Sequence, residues 1–129
     1  MERRRISSGT EWEPRAGYSR AVRAGSQVHV SGTTATDDRS EVVGEGDPSE
    51  QTKQALANVE DALAEAGAPL ECVVRTRLFV TDIDDWETIG EAHGEYFGEI
   101  RPATSMLEVN QLLSPDLLVE IETVAAADG

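Results

Sequence analysis

The chain has 129 residues and carries 25 acidic against 11 basic side chains, a formal net charge of −14 at pH 7. That length suits a single domain spanning residues 1–129. Binding to nucleic acid depends on Lys and Arg contacts to phosphate, so we expect no nucleic-acid partner for so acidic a chain. No segment approaches the roughly 18 apolar residues that a membrane helix needs. We therefore predict a cytoplasmic protein without a membrane partner.

The basic side chains are nearly all arginine, and Lys53 is the only lysine. This composition fits an ordinary acidic protein from a GC-rich genome, or adaptation to a high-salt cytoplasm in which ions screen the repulsion between carboxylates. Glu87, Glu91 and Glu95 favour the second interpretation, because like charges four residues apart on a helix repel each other at low salt. Cys72 is the only cysteine and no Cys/His cluster resembles a zinc site, so we expect no disulfide, metal or cofactor.

The first third of the chain shows strand patterns without a strong helix. Residues 1–14 are polar without a clear period and are predicted to form a tail or an irregular edge segment. Alternating runs at 18–24 and 27–31 flank a Gly25-Ser26 turn and predict a β-hairpin. Residues 41–43 are a candidate short edge strand.

Two helices and three further strands are predicted after this hairpin. Asp47, Pro48 and Glu50 begin a helix that ends at Gly67. The acidic run at 84–87 repeats the same start signal and opens a second helix to about residue 97. Apolar residues expected to face the core are Ala55, Leu56, Val59, Ala62, Leu63 and Ala66 in the first helix, and Trp86, Ile89, His93, Tyr96 and Phe97 in the second. Gly90 and Gly94 suggest a close backbone approach to that second helix.

The remaining runs, 71–81, 104–109 and 117–125, are predicted strands. The element order predicts an α+β domain with two helices packed on one face of a mixed sheet. The strand at 71–81 alternates between a nearly apolar side, Cys72, Val74, Thr76, Leu78 and Val80, and a mixed side, Val73, Arg75, Arg77 and Phe79.

The second face of the sheet is expected to carry opposite charges. Besides the mixed side of strand 71–81, it should present Glu120 and Glu122, together with Thr104, Met106 and Glu108. We predict that self-association buries this face and that the Arg and Glu side chains pair there. The alternative is the solvent-facing side of a monomeric sheet. A pocket where subunits meet would bind a small molecule.

Several short motifs carry a resemblance to a known family. They are Ala16-Gly17-Tyr18-Ser19, Val30-Ser31-Gly32, Glu50-Gln51-Thr52 through Ala55-Leu56-Ala57-Asn58-Val59, Val80-Thr81-Asp82-Ile83, Arg101-Pro102-Ala103-Thr104-Ser105 and Val119-Glu120-Ile121-Glu122. In this order and spacing the chain resembles the Rid (YjgF-like) family over about residues 17–126. The resemblance implies a chorismate-mutase-like fold, a homotrimer with a central barrel, and ligand clefts between subunits. The best-known members hydrolyse reactive 2-imino acids without a cofactor.

The resemblance also implies site residues. The family motif Pro-Ala-Arg-Ser-Cys, whose Arg holds the substrate carboxylate, corresponds to the run at 102–106, with Thr104 at the Arg position and Met106 at the Cys position. The implied catalytic residue is Glu120, and the implied binding residues are Tyr18, Ser31, Thr104, Ser105 and Met106. Arg101 is a second candidate catalytic residue that the resemblance does not supply: it lies three residues before Thr104 and could reach the same cleft in place of the missing arginine. The simpler roles are a surface cation for Arg101, an ion pair with Arg75 or Arg77 for Glu120, strand-edge packing for Tyr18 and core packing for His93.

Two functions from different classes remain open at this point. The first is a homotrimer that binds a small polar metabolite between subunits and hydrolyses imines or enamines. The second is a trimer that binds a ligand or a partner without catalysis. An endoribonuclease role, a label attached to such proteins, is disfavoured by the acidic charge.

Overall fold

The computed structural model describes residues 1–128 as an α+β fold. Its strands are β1 (Arg3–Ile6), β2 (Ala21–Ala24), β3 (Gln27–Thr33), β4 (Val73–Val80), β5 (Ala103–Glu108) and β6 (Val119–Ala126). Its helices are α1 (Trp12–Ala16), α2 (Pro48–Glu65) and α3 (Trp86–Phe97), with short 3-10 turns at Leu70–Cys72 and Ile83–Asp85.

All six strands form one mixed sheet in the order β1-β2-β3-β6-β4-β5. Only the β4 and β5 pair is parallel, as expected because α3 forms the crossover between them. Helices α2 and α3 pack against each other and cover one face, where the hydrophobic core lies. The predicted fold class and hairpin are therefore confirmed. We call the other side of the sheet the open face.

Side chains form hydrogen bonds to the backbone at both ends of helix α2. The Asp47 carboxylate accepts hydrogen bonds from the backbone N–H groups of Ser49 and Glu50, and Pro48 occupies the first turn, as the sequence predicts. The last turn contains no basic residue. Two arginines from the sheet replace it: Arg23 Nη1 donates to the Ala66 carbonyl at 2.8 Å, and Arg4 donates to the Glu65 carbonyl. These cations sit where the helix dipole is negative.

The prediction of a tail or an irregular edge segment at residues 1–14 is wrong in part, because residues 3–6 pair regularly with β2 at the edge of the sheet. The segment after it folds around Glu13, which is 3% exposed. Its carboxylate accepts hydrogen bonds from the Ser8 amide at 3.2 Å and the Thr10 hydroxyl at 3.1 Å. The burial of the Glu13 carboxylate was not predicted from the sequence, because it depends on how this segment folds. The predicted strand at 41–43 is reduced to a single bridge between Thr36 and Val42.

The predicted alternation of β4 breaks at its start. Its register against β6 shifts between Val73 and Arg75, which is a β-bulge. Val73 is therefore 3% exposed and Val74 is 49% exposed, the reverse of the predicted faces. From Thr76 onward the prediction holds.

Helix α3 differs from its prediction at the start and on its outer side. Asp82, rather than Asp84 or Asp85, caps this region, and its carboxylate accepts from the Asp84 N–H at 3.0 Å. The preceding 3-10 turn shifts Trp86 out of the core, so its side chain is 57% exposed. The predicted close approach at Gly90 and Gly94 is wrong, because an added Cβ at either would meet nothing within 4 Å.

Candidate functional site

A cleft of about 450 Å³ lies on the open face of the sheet. Five of its lining side chains are Tyr18, His29, Ser31, Arg77 and Glu122, and we call it the Tyr18 cleft. Arg77 Nε lies 3.1 Å from Glu122 Oε1, so the predicted pairing of arginine and glutamate on this face is present for these two. Both side chains stay partly exposed, which leaves the ion pair accessible to a ligand.

Tyr18 comes just before β2 and Ser31 lies near the end of β3, and both line this cleft. Tyr18 follows Gly17, whose φ of 79° ends α1 in the left-handed region, and 42% of the tyrosine is exposed. The Ser31 hydroxyl donates to the Ser19 carbonyl at 2.7 Å. The structure therefore places these two predicted binding residues in one cleft, and Tyr18 is not buried by strand-edge packing.

Glu120 lies on β6 beside an irregularity in β3. The register shifts between Val30 and Thr33, and Gly32 lies inside this bulge. A Cβ added at Gly32 would lie 2.8 Å from Glu120 Cδ and Oε2, so the absence of a side chain there makes room for the carboxylate. Arg20 Nη2 donates to the Gly32 carbonyl at 2.7 Å and holds this backbone in place.

The surroundings of Glu120 favour its protonated form. Burial raises the pKa of this carboxyl, the nearby Glu122 carboxylate raises it further, and Arg20 opposes both effects. Among the described residues, Glu120 does not form the ion pair with Arg75 or Arg77 that was its simpler predicted role. Arg77 pairs with Glu122, and Arg75 reaches Ser105 Oγ at 3.4 Å. A carboxyl with a raised pKa can give and take a proton closer to neutral pH than an ordinary glutamate.

The predicted face of β5 is wrong. The parallel register pairs Thr104 with Thr76 and Met106 with Leu78, which places both on the helix-covered side. Met106 packs against the hydrophobic core. Ser105, by contrast, pairs with Arg77 and lies on the open face. The alternation of side chains along β5 was predicted correctly, but the face assigned to each residue was not, because that face depends on the register with the partner strand. Glu108 follows Thr104 and Met106 to the helix side.

Thr104 takes part in a hydrogen-bonded chain that the sequence pattern did not predict. Its hydroxyl lies 2.8 Å from the Thr76 hydroxyl, which lies 2.9 Å from His93 Nε2. His93 stacks on Phe97 with ring centroids 4.7 Å apart, and burial lowers the pKa of its imidazole. A polar residue on each of two apolar faces, Thr76 and His93, was the signal that could have indicated this contact.

Arg101 stands apart from the other predicted site residues. It adopts a φ of 56° after α3, and its N–H donates to the Phe97 carbonyl at 2.8 Å. The side chain is exposed, and among residues 1–128 its guanidinium makes no hydrogen bond. It does not line the Tyr18 cleft. Within one chain the structure therefore brings together Tyr18, Ser31 and the neighbouring Glu120 region, but not Arg101, Thr104 or Met106.

The described part of the chain shows neither a metal-binding cluster nor a membrane-spanning helix. Residues 1–128 hold no group of three or more His, Cys, Asp or Glu side chains arranged to bind a metal ion. No helix in that part of the chain is long and apolar enough to cross a membrane.

The fold and these motifs agree with a known family. The model of the family described as Endoribonuclease L-PSP matches residues 9–127. The chain belongs to this family. A Mycobacterium tuberculosis protein described as a member of the YjgF/YER057c/UK114 family is 51% identical, with a TM-score of 0.88 over 98% of this chain and all of that one. The resemblance to the Rid (YjgF-like) family is therefore confirmed.

Two other relatives have a known function or ligand. The 3-aminoacrylate deaminase RutC of Acinetobacter baylyi is 38% identical over 112 residues, which are 87% of this chain and 88% of that protein. E. coli TdcF, solved with bound serine, is 29% identical with a TM-score of 0.79, and the match covers 86% of this chain and 88% of that one. The family thus includes a deaminase and a protein that binds a small amino acid.

Proposed function

We propose that this protein is a homotrimer that binds a small polar metabolite in clefts between subunits and hydrolyses imine or enamine intermediates to keto products and ammonia. The observation that carries the proposal is Glu120, a partly buried carboxyl with a raised pKa beside the space left by Gly32. The deaminase among its relatives supports the reaction class. The proposed partners are a small-molecule ligand and two further copies of this chain, with no nucleic acid, membrane or cofactor, in the cytoplasm.

In this reaction Glu120 moves protons. Protonation of an enamine carbon by the Glu120 carboxylic acid gives the iminium ion, and the carboxylate then accepts a proton from the attacking water. The new C–O bond gives a carbinolamine. Glu120 then returns this proton to the nitrogen, the C–N bond breaks to release ammonia, and the carbinolamine hydroxyl passes its proton to the Glu120 carboxylate as the keto C=O bond forms, which restores the carboxylic acid. The net change is imine plus water to ketone plus ammonia, so no oxidant or reductant is needed.

The open face supports assembly of several copies. Val74 and Leu107 are 49% and 44% exposed on a single chain, and Leu113, in the loop before β6, is 99% exposed. Leu107 shares the open face with Arg77 and Phe79 through the strand register. Apolar side chains mixed with an arginine–glutamate pair are typical of a surface that a second copy covers. The Tyr18 cleft would then be closed by the neighbouring subunit.

A second candidate function is ligand binding without catalysis. The observation that favours it is the placement of Thr104, because this neutral side chain occupies the family's arginine position and is engaged with Thr76 on the helix side. Without a cation there, a substrate carboxylate loses its bidentate partner. For the deaminase function, the proposed replacement for the missing arginine is Arg101. This role requires the cleft between subunits to bring the Arg101 guanidinium close to the substrate carboxylate.

The experiment compares release of ammonia from freshly generated 2-imino acids by the wild-type chain and its variants. We expect Glu120→Gln to lower the rate about a hundredfold or more, while Glu91→Gln, a matched change on the exposed side of α3, leaves it unchanged. Loss of activity in Arg101→Ala would identify Arg101 as the carboxylate partner. Activity only in Thr104→Arg would instead support the non-catalytic function, and full activity in Glu120→Gln would refute the proposed role of this carboxyl.

A further inference from the structure

Arg20 lies directly before β2, and the strands on both sides fix its backbone. Its N–H donates to the Ile6 carbonyl at the end of β1, at 2.8 Å. Its carbonyl accepts from the N–H of Ser31 on β3, at 2.9 Å. The arginine side chain therefore starts from a fixed point, next to a residue that lines the Tyr18 cleft.

The Arg20 side chain reaches the β3 bulge on which the Glu120 carboxyl depends for its space. Arg20 Nη2 donates to the Gly32 carbonyl at 2.7 Å. The same glycine lies against Glu120, because a Cβ added at Gly32 would lie 2.8 Å from Glu120 Cδ and Oε2. Gly32 is therefore the single residue that lies between the guanidinium and the carboxyl, and Arg20 holds its backbone in the position that leaves room for Glu120.

Arg20 and Glu120 are close enough to interact through charge, but they are not in contact. The positive charge of Arg20 lowers the pKa of the Glu120 carboxyl, against the effects of burial and of Glu122. Within residues 1–128 the two side chains form no ion pair, and Arg20 Nε is buried without a hydrogen-bond partner. The arginine therefore acts on this carboxyl through its charge and not through a direct hydrogen bond.

This separation matters for proton transfer. A carboxylate in direct contact with a guanidinium is held in its ionised form. Without any cation nearby, burial and the Glu122 carboxylate would hold Glu120 in its protonated form. A positive charge that is near but not bonded leaves both forms accessible, as a group that first gives and then accepts a proton requires.

The other groups around Glu120 do not supply this positive charge. Glu122 has the same sign, and Arg77 already pairs with Glu122 at 3.1 Å. The β4 residue opposite Glu120 is the uncharged Phe79. His29, the titratable residue of β3, pairs with β6 farther along the strand. In the described part of the chain, the cation that lowers the pKa of this carboxyl is the arginine before β2.

We propose that Arg20 is a positioning residue for imine and enamine hydrolysis. It holds the Gly32 bulge beside Glu120 and supplies the positive charge that lets this carboxyl both give and accept a proton. Arg20 acts through Glu120 and does not touch the substrate. This inference rests on the proposed function, because the proton affinity of Glu120 affects a reaction only if Glu120 transfers protons.

The first test follows the titration of the Glu120 carboxyl by carboxyl-carbon NMR of the full-length protein, with the signal assigned by its loss in Glu120→Gln. Arg20→Gln removes the charge but keeps an amide that can donate to the Gly32 carbonyl, Arg20→Lys keeps the charge, and Arg39→Gln removes a charge from an exposed position. We expect the titration to move to higher pH in Arg20→Gln, and to stay near that of wild type in Arg20→Lys and Arg39→Gln.

Two results of this titration would overturn the inference. An unchanged titration in Arg20→Gln would show that the arginine charge does not act on Glu120. A shift to lower pH would show that the bulge has opened and exposed the carboxyl to water, so that Arg20 has a structural role alone. Melting curves establish that each variant is folded, and Arg20→Met, which keeps the aliphatic part of the side chain, replaces Arg20→Gln if that variant does not fold.

The second test is the pH dependence of kcat/KM for ammonia release from freshly generated enamines. A weaker acid protonates an enamine carbon more slowly, so we expect Arg20→Gln to lower the plateau rate about tenfold and to move the basic limb to higher pH. Arg20→Lys should restore both. An equal loss at every pH, with the limb unmoved, would contradict the inference. Absence of ammonia release by wild type would contradict the proposed function instead, and the Glu120 titration would still test the effect of Arg20.

Discussion

The hydroxyl groups of Thr104 and Thr76 lie 2.8 Å apart across the parallel strands β4 and β5. This contact ties the position where relatives with the Pro-Ala-Arg-Ser-Cys motif carry arginine to a buried threonine and, through it, to His93. Thr104 also donates to the Pro102 carbonyl at 3.1 Å. With a proton on His93 Nε2, the imidazole donates to the Thr76 hydroxyl, Thr76 donates to Thr104, and Thr104 donates to the Pro102 carbonyl. The side chain at position 104 therefore acts as the end of an internal hydrogen-bonded chain.

Replacing Thr76 with valine should destabilise the protein. The change keeps the shape but leaves His93 Nε2 and Thr104 Oγ1 without their shared partner, and we expect a loss of about 1 to 3 kcal/mol in the free energy of unfolding. The measurement is urea denaturation. Thr123→Val is the matched control, because Thr123 pairs with Thr76 in the register and its buried hydroxyl has no partner within residues 1–128. Thr123→Val should be neutral or stabilising, and equal losses in both would contradict the importance of the hydrogen-bonded chain.

Replacing Glu120 with glutamine should stabilise the fold at neutral pH while removing the proposed proton transfer. The folded-state pKa of Glu120 is raised, so the folded chain binds a proton more readily than the unfolded chain. Stability from this group is therefore full below the unfolded pKa and falls as pH rises through the folded pKa. We therefore expect Glu120→Gln to be more stable than wild type at pH values above the folded-state pKa of Glu120, and similar to wild type at pH values below its unfolded-state pKa. Melting temperatures across about pH 3 to 8 test this, and a constant difference at all pH values would contradict it.

Replacing Arg23 with methionine should destabilise α2 at its C-terminus. The aliphatic part of the side chain is kept, but the Ala66 carbonyl loses the cationic donor that lies 2.8 Å away. We expect a loss of about 1 to 2 kcal/mol in the free energy of unfolding. Arg39→Met is the control, because Arg39 is exposed. A loss of similar size in Arg39→Met would mean that net charge, rather than the helix end, is responsible.

Salt should raise the melting temperature if the acidic surface is an adaptation to a salty cytoplasm. Glu87, Glu91 and Glu95 are all exposed on α3, and Glu95 pairs with the single lysine, Lys53, at 3.0 Å. Between about 0.1 and 2 M KCl, ions screen the repulsion among the remaining carboxylates. A flat response would support the alternative of an ordinary acidic protein.

Light scattering tests the predicted homotrimer. We expect a particle three times the mass of one chain, and Leu107→Glu should reduce it to one chain because a carboxylate replaces an exposed leucine on the open face. Leu113→Glu, in the loop before β6, tests whether that exposed side chain also contacts a neighbouring copy. A wild-type monomer at both physiological and molar salt would contradict the assembly.

The sequence by itself determined part of the local structure of this protein, above all helix α2. Asp47, Pro48 and Glu50 mark the start of α2 because capping depends only on neighbours in the chain, and the apolar period of α2 indicates its buried side. The family resemblance likewise rests on short motifs and their order. Fold class and the candidate residues Tyr18, Ser31 and Glu120 could be predicted from these.

Only the tertiary structure decided which way the strands face and which distant groups meet. The bulge at Val74 reverses the faces of Val73 and Val74, and the parallel register of β5 reverses the face predicted for alternate residues along that whole strand, because the pairing with β4 sets which of them face the helices. That reversal moved Thr104 and Met106 to the helix side and left Ser105 on the open face. The room that Gly32 leaves for Glu120, and the hydrogen bond from Arg23 to the Ala66 carbonyl, join residues far apart in sequence. Their energies arise from packing and burial, which no local pattern encodes.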